Sequence, residues 1–112
     1  MDIIVSLVAN DTFEAVAHPI RRGIVERLSR GPAPVGIATH GFGVSKPTIS
    51  RHLKVLEGAG LVARVIHGRT HQLRLKPEGL LVAAEWFDRQ RAIWERMFDA
   101  VEYVLEDPVE KL

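Results

Sequence analysis

The stretch Val44–Val62, VSKPTISRHLKVLEGAGLV, decides how the rest of the 112-residue chain is read. Ile49, Leu53, Leu56 and Gly60 recur at helical spacing and make one narrow, core-seeking stripe. On or near the opposite face lie Lys46, Pro47, Ser50, Arg51 and Lys54, a row of cations and small side chains. Ser45 suits the N-cap, Pro47 the first turn, where its missing N–H costs little, and Gly60 the C-terminal stop. The outer face is built like a helix that enters a DNA major groove. Cations meet phosphates or guanine edges there, and small residues let the backbone come close.

The charge is distributed to match. The net charge of +1 conceals three unequal segments. Residues 1–44 balance to zero; residues 45–76 carry seven Lys and Arg against Glu57 alone; residues 77–112 carry four basic and nine acidic residues. A basic middle beside an acidic tail predicts a polyanion-binding face and a second face turned away from it.

Composition narrows the function classes. At 46 % hydrophobic and 26 % charged residues the chain reads as one ordinary globular domain, small for an enzyme with a deep cleft. The absence of cysteine excludes disulfides, thiolate metal sites and cysteine nucleophiles. No apolar run approaches the ~20 residues of a membrane span. Met1–Ala9 has no Lys or Arg to form the basic region of a signal peptide, so the expected location is cytoplasmic. No Gly-rich phosphate loop and no nucleophile–base arrangement is signalled, and no enzyme activity is expected.

Outward from the central stretch, the N-terminal side is helical. Asp2–Ala9 is apolar and fits either a helix or an extended arm; Asn10, Asp11 and Thr12 punctuate it. Asp11 and Glu14 have capping-box spacing, which predicts a helix from about Thr12 to Ala17. Pro19 starts the next helix, to about Arg30, with Ile20, Ile24 and Leu28 inward and Arg21, Arg22 and Arg27 solvated. Gly31, Pro32 and Pro34 form a loop, and a brief helix follows from about Pro34 to His40. Gly41-Phe42-Gly43 is then a tight turn with its aromatic ring directed inward. Short helix, glycine turn and longer cationic helix are the layout of a helix-turn-helix.

On the C-terminal side, Leu61–Ile66 is β-prone, His67–Thr70 is a turn centred on Gly68, and His71–Leu75 alternates polar and apolar. The resulting hairpin carries Arg64, Arg69 and Arg74 and would reach a neighbouring minor groove or the DNA backbone. From Pro77 to about Glu106 runs one long helix, with Pro108 beyond its end. Phe87, Trp94 and Val101 recur every seven residues, with Met97 and Val104 between them. Such a helix is about 43 Å long, too long for one small domain to cover on both sides. Its aromatic stripe therefore calls for a second protomer.

These residues resemble the ArsR-type family of winged-helix repressors. FEAVAHPIRRGIVERL (Phe13–Leu28) resembles the family's first helices, SKPTISRHLKVLEGAGLV (Ser45–Val62) its recognition segment, and ARVIHGRTHQLRL (Ala63–Leu75) its wing. The similarity spans most of residues 12–106; the departure is Ile37-Ala38-Thr39, where Glu-Leu-Ala is usual. The resemblance implies a mostly α fold with a small β-hairpin, dimeric through its terminal helices. The helix-turn-helix would occupy residues 34–60, the wing 61–75 and the dimerisation helices 2–17 and 77–106 of a single domain, 1–112. It implies a homodimer that binds double-stranded DNA at a palindromic operator near its own promoter and represses transcription.

Ser45, Lys46, Pro47, Thr48, Ser50 and Arg51 match the family's DNA-facing positions. Lys54, Arg64 and Arg69 extend that basic surface, and His52 is either a DNA contact or a structural histidine. The dimer interface would comprise Phe87, Trp94, Met97, Val101 and Val104. Family members that sense soft metals use a cysteine pair that this chain lacks. A second family site needs histidine on the last helix, and here that helix has Glu85, Asp88, Glu95, Asp99 and Glu102 but none. The five histidines are scattered, so neither metal nor cofactor is expected. The alternative is a small-molecule or non-thiolate metal sensor on the same scaffold, whose effector the residues do not name. EWFDRQRAIWE (Glu85–Glu95) weakly resembles a metal-independent branch of the family.

Overall fold

In chain order the computed structural model has α1 (Ile3–Ala15), α2 (Pro19–Leu28), β1 (Ala33–Pro34), α3 (Val35–Ala38), α4 (Lys46–Gly58), β2 (Val62–His67), β3 (Thr70–Leu75) and α5 (Glu78–Glu106). It describes residues 3–106, and of positions 5, 6 and 106 the backbone alone. The expectation for Pro108 lies outside the described residues. This is a winged helix-turn-helix: mostly helical, with a small antiparallel sheet.

The core gathers around the inner face of α4. Leu53 and Leu56 are buried with Ile24, Val25 and Leu28 of α2, Ala38 of α3, and Leu61, Val62 and Leu73 of the hairpin. Each fully buried Leu or Ile contributes about 1.5–3 kcal/mol relative to exposure, so this cluster is what fixes α4 on the body. Both ends of α4 are closed by local chemistry. The Ser45 hydroxyl accepts a hydrogen bond from the Thr48 amide at 3.3 Å, and Pro47 occupies the first turn. At the other end Gly60 takes a positive φ of 73°, the Gly60 amide donates to the Glu57 carbonyl, and the Leu61 amide donates to the Leu56 carbonyl, each at 3.0 Å. That pair of bonds is a Schellman motif, which reverses the chain directly into β2.

The hairpin pairs Val62 with Leu75 through His67 with Thr70, leaving Gly68 and Arg69 as its two-residue loop. Gly68 has φ 61° at the first loop position, and among the described residues no non-glycine has positive φ, the pattern of a type II′ turn. The Lys76 amide donates to the Leu61 carbonyl at 2.7 Å and closes the hairpin's base before α5 begins.

Three features differ from the reading of the sequence. The sheet has three strands, not two: Ala33 pairs with Leu73 and Pro34 with Gln72, in the order β1-β3-β2. A proline is tolerated there because β1 is an edge strand of two residues. The following helix is correspondingly shorter, Val35–Ala38, rather than reaching His40. And α1 does not start near Thr12; it runs unbroken through Asn10, Asp11 and Thr12 from Ile3. The Thr12 hydroxyl donates to the Val8 carbonyl at 3.0 Å, within the helix, and Thr12 is buried. Packing against α5 overrides the capping signal at Asp11.

α1 lies on the N-terminal part of α5. Phe13 meets Trp86 and Phe87 edge-on, with ring centroids 5.4 Å away in both pairs. Gly79 permits the closest approach: a Cβ there would lie 2.7 Å from Thr12 Oγ1 and 3.1 Å from Leu61 Cδ2. Gly79→Val is therefore expected to lower stability by about 1–3 kcal/mol in urea denaturation. Gly58→Ala, with nothing within 4 Å of the added methyl, is expected to raise it by about 0.4–1 kcal/mol.

Candidate nucleic-acid interface

Because α4 is anchored along one face, its other face is free. Ser45, Lys46, Pro47, Ser50, Arg51 and Lys54 are all exposed. Thr48 is half-buried and its hydroxyl lies 2.9 Å from that of Ser45, so this pair satisfies part of its own hydrogen-bonding capacity. At the wing tip Arg69 is exposed beside Gly68, and Arg74 is exposed on β3. Exposed cations of the central segment are thus carried by both α4 and the hairpin.

Two residues of the expected site are engaged within the protein. Arg64 donates to Glu57 Oε1 from Nη2 at 2.8 Å and from Nε at 3.3 Å, and its Nη1 donates to His71 Nδ1 at 3.3 Å. The pair joins the last turn of α4 to the sheet, with each side chain 32 % exposed. His52 faces inward and is only 9 % exposed. Arg21 Nη1 donates to its Nδ1 at 3.1 Å, and the His18 ring lies 4.3 Å away between centroids. Burial, and then the neighbouring His18 and Arg21, hold the His52 pKa below the ordinary histidine value.

The arginines of α2 are expected to be solvated; Arg22 is exposed, Arg21 and Arg27 are half-buried, and each bonds main-chain carbonyls. Arg21 also donates from Nε to the Ala15 carbonyl at 2.7 Å and from Nη2 to that of Glu14 at 3.3 Å. Arg22 donates to the Val16 carbonyl at 2.8 Å. Arg27 Nη1 donates to the carbonyls of Ile37, Ala38 and His40, at 3.4, 3.2 and 2.7 Å. All three donate to main-chain acceptors at or just beyond helix ends, some of which, Glu14 and Ile37, also accept from a nearby amide. Arg27 further stacks over Phe42, 4.2 Å from the ring centroid, and Phe42 abuts Gly23, as an inward-directed aromatic in the turn should. A spacing rule sees a helix face; it does not see a carbonyl brought alongside by a neighbouring turn.

The opposite end of the molecule is apolar and open. Every residue from 91 to 105 is exposed, including Trp94, Met97, Phe98, Val101 and Val104, at 53 to 62 %. Phe87 is 58 % exposed despite its contact with Phe13. Trp86, Phe87, Gln90, Trp94 and Phe98 line a groove of about 550 Å³ along α5. Phe98 belongs to this surface although the seven-residue period does not select it. On α1, Ile3, Ile4, Leu7 and Val8 are exposed as well. Among the described residues, no three His, Asp or Glu side chains gather as a metal site, and no helix is long and apolar enough to cross a membrane.

A capped helix with a cationic outer face, followed by a basic hairpin, defines a DNA-binding winged helix-turn-helix. Residues 16–65 match the family profile described as a helix-turn-helix domain. The chain is 40 % identical over 84 residues to the HTH-type transcriptional regulator Rv2034 of Mycobacterium tuberculosis, covering 75 % of this chain and 76 % of that protein. It is 37 % identical over 54 residues to the transcriptional repressor SdpR of Bacillus subtilis, covering 48 % of this chain and 60 % of SdpR. The crystal structure of an ArsR family transcriptional regulator superposes with a TM-score of 0.73 at 31 % identity, covering 80 % of this chain and 93 % of that one. The chain belongs to the ArsR family and is a DNA-binding transcriptional regulator.

The Arg27 contacts yield a test of the internal arginines. Arg27→Ala removes the side-chain donor to the Ala38 and His40 carbonyls and is expected to cost about 1.5–3 kcal/mol in chemical denaturation. At the exposed Arg30 the same substitution should fall within about 0.5 kcal/mol of wild type.

Proposed function

We propose that the protein is a homodimeric repressor whose two α4 helices enter successive major-groove half-sites of a palindromic operator. The observation that carries this reading is the division of α4 into a buried leucine face and an exposed face of Lys46, Ser50, Arg51 and Lys54. Arg51 has the length and fork to read a guanine edge bidentately; Lys46 and Lys54 act as point charges on phosphate. Arg69 at the wing tip reaches the flanking backbone or minor groove. Ser45, Pro47 and Thr48 shape the close approach at the N-terminus of α4, and Arg64 positions the wing through Glu57 more than it contacts DNA.

Dimerisation through α5 is supported by the size of the apolar surface that one protomer leaves uncovered. Phe87, Trp94, Met97, Val101 and Val104, with Phe98, form the patch that a second copy buries. A contiguous exposed apolar face of this kind is atypical of a monomer. Reading successive half-sites requires the dimer to hold its two α4 helices about 34–36 Å apart, one turn of DNA. Repression, rather than activation, is supported by the name of SdpR. Regulators of this type act in the cytoplasm.

Fluorescence anisotropy on DNA from upstream of the protein's own gene, against a scrambled duplex and over a salt series, tests the reading. Selective binding supports it; equal binding to both duplexes removes that operator as the target. Arg51→Ala should lose about 1–3 kcal/mol and relax specificity at one base pair. Lys46→Ala should weaken all duplexes alike and flatten the logarithmic salt slope by about 1. Trp94→Glu should give a monomer in analytical ultracentrifugation and lose selective binding, whereas a Trp94→Glu dimer would exclude α5 as the interface.

A further inference from the structure

Behind α4, on the side away from its exposed cations, one guanidinium joins three elements. Arg21 of α2 donates to the carbonyls of Ala15 and Glu14 at the end of α1, and to Nδ1 of His52 on α4. Beside it, His18 caps α2: its Nδ1 accepts a hydrogen bond from the Ile20 amide at 3.1 Å. Guanidinium and amide N–H groups only donate, so both imidazoles must present an unprotonated Nδ1. For His52, which faces Arg21, this is the neutral form with its proton on Nε2.

Protonating either ring places an N–H against a donor and breaks that bond. It also adds a charge near Arg21, and the two rings are 4.3 Å apart between centroids. No acid offsets it. Glu14 offers Arg21 its carbonyl, and with Asp11 it borders a separate cleft against Val55, Gly58 and Ala59, further along α4. On α4 itself Lys46, Arg51 and Lys54 are exposed, and Glu57 is occupied by Arg64 from β2.

We propose that the His18–Arg21–His52 cluster is a proton-operated latch, which holds α4 in its DNA-reading orientation while His52 is neutral and lets it shift when His52 is protonated. The proposal rests on the reading of α4 as the DNA-contacting helix. Burial and the adjacent cationic groups lower the His52 pKa, in keeping with this arrangement. The sign follows from linkage. A histidine whose pKa is lower latched than unlatched supports the latched form fully above about 6.5, and loses that support as pH falls through the latched value. A histidine facing phosphate would do the reverse and strengthen binding in acid.

The test uses the full chain, titrated from pH 8.5 to 5 at constant ionic strength. Imidazole NMR reports each histidine, and anisotropy reports affinity for the duplex from upstream of its own gene. His52 is expected to titrate below the ordinary value, and wild-type affinity to fall by at most about tenfold per pH unit between the unlatched and latched values, levelling off below both, for one linked proton. His52→Gln, which keeps an acceptor for Arg21 but cannot titrate, should vary less than about twofold more than the DNA-independent drift of a salt-matched control. Should His52→Gln not fold by circular dichroism, His18→Asn serves: it keeps the cap, removes the ring packed beside His52, and should raise the His52 pKa and shrink the acid loss. A His52 that titrates at or above the ordinary value, an affinity that rises in acid, or an unchanged pH profile in the folded variant overturns the latch. Loss of selective binding on Arg51→Ala separates the two readings: if it is absent, the assignment of α4 falls, while the NMR titration still decides the state of the cluster.

Discussion

The structure depends on one-sided anchoring of α4. Leu53 and Leu56 are enclosed by α2, α3 and the hairpin, and the Schellman bonds from Gly60 and Leu61 fix the exit angle into β2. A helix gripped on both faces would be stable but would have nothing to offer DNA. A helix gripped on neither would depend on propensity alone, which is marginal at 13 residues. The observed compromise leaves a rigid, solvent-facing row of cations. It also makes the wing an extension of the same rigid unit, since Leu61 and Leu73 belong to the core that holds α4.

Legibility from the sequence follows the range of the interactions. The bounds of α4, the hairpin register at Gly68 and the extent of α5 were readable because caps, turn residues and periodicity act over a few positions. β1 was not: its two residues are strands only because Leu73 and Gln72, about forty positions on, lie beside them. The continuity of α1 was hidden for a related reason. Asn10-Asp11-Thr12 reads as a break, yet Thr12 is buried against Gly79 of α5, and that contact outweighs local preference. His52 shows the same limit at the candidate site. Helical spacing puts it at the edge of the buried stripe, where periodicity cannot choose a side; Arg21, thirty-one positions earlier, chooses it.

The two ends of the molecule obey different physics. At the DNA-facing end, the exposed side chains are charged and their interactions are long-ranged and screened by salt. Along α5 the charges pair within the helix, as in Arg89–Glu85 at 3.6 Å and Arg91–Asp88 at 3.3 Å, and contribute little. What remains there is apolar area, which acts only on contact. Separating the two surfaces prevents the acidic helix from competing with DNA for the basic one.

The carbonyl contacts of Arg21, Arg22 and Arg27 bear on how the sequence can drift. At a solvated position, exchange of arginine for lysine keeps the charge and changes little. At Arg21 the requirement is a planar group with several fixed donors, since Nε, Nη1 and Nη2 each reach a different acceptor, on α1 and α4. Lysine preserves every count of charge and supplies no such fork. Two chains of identical length, composition class and net charge can therefore differ in whether their helices are joined at all, and a charge-conserving exchange in α2 is not a conservative one.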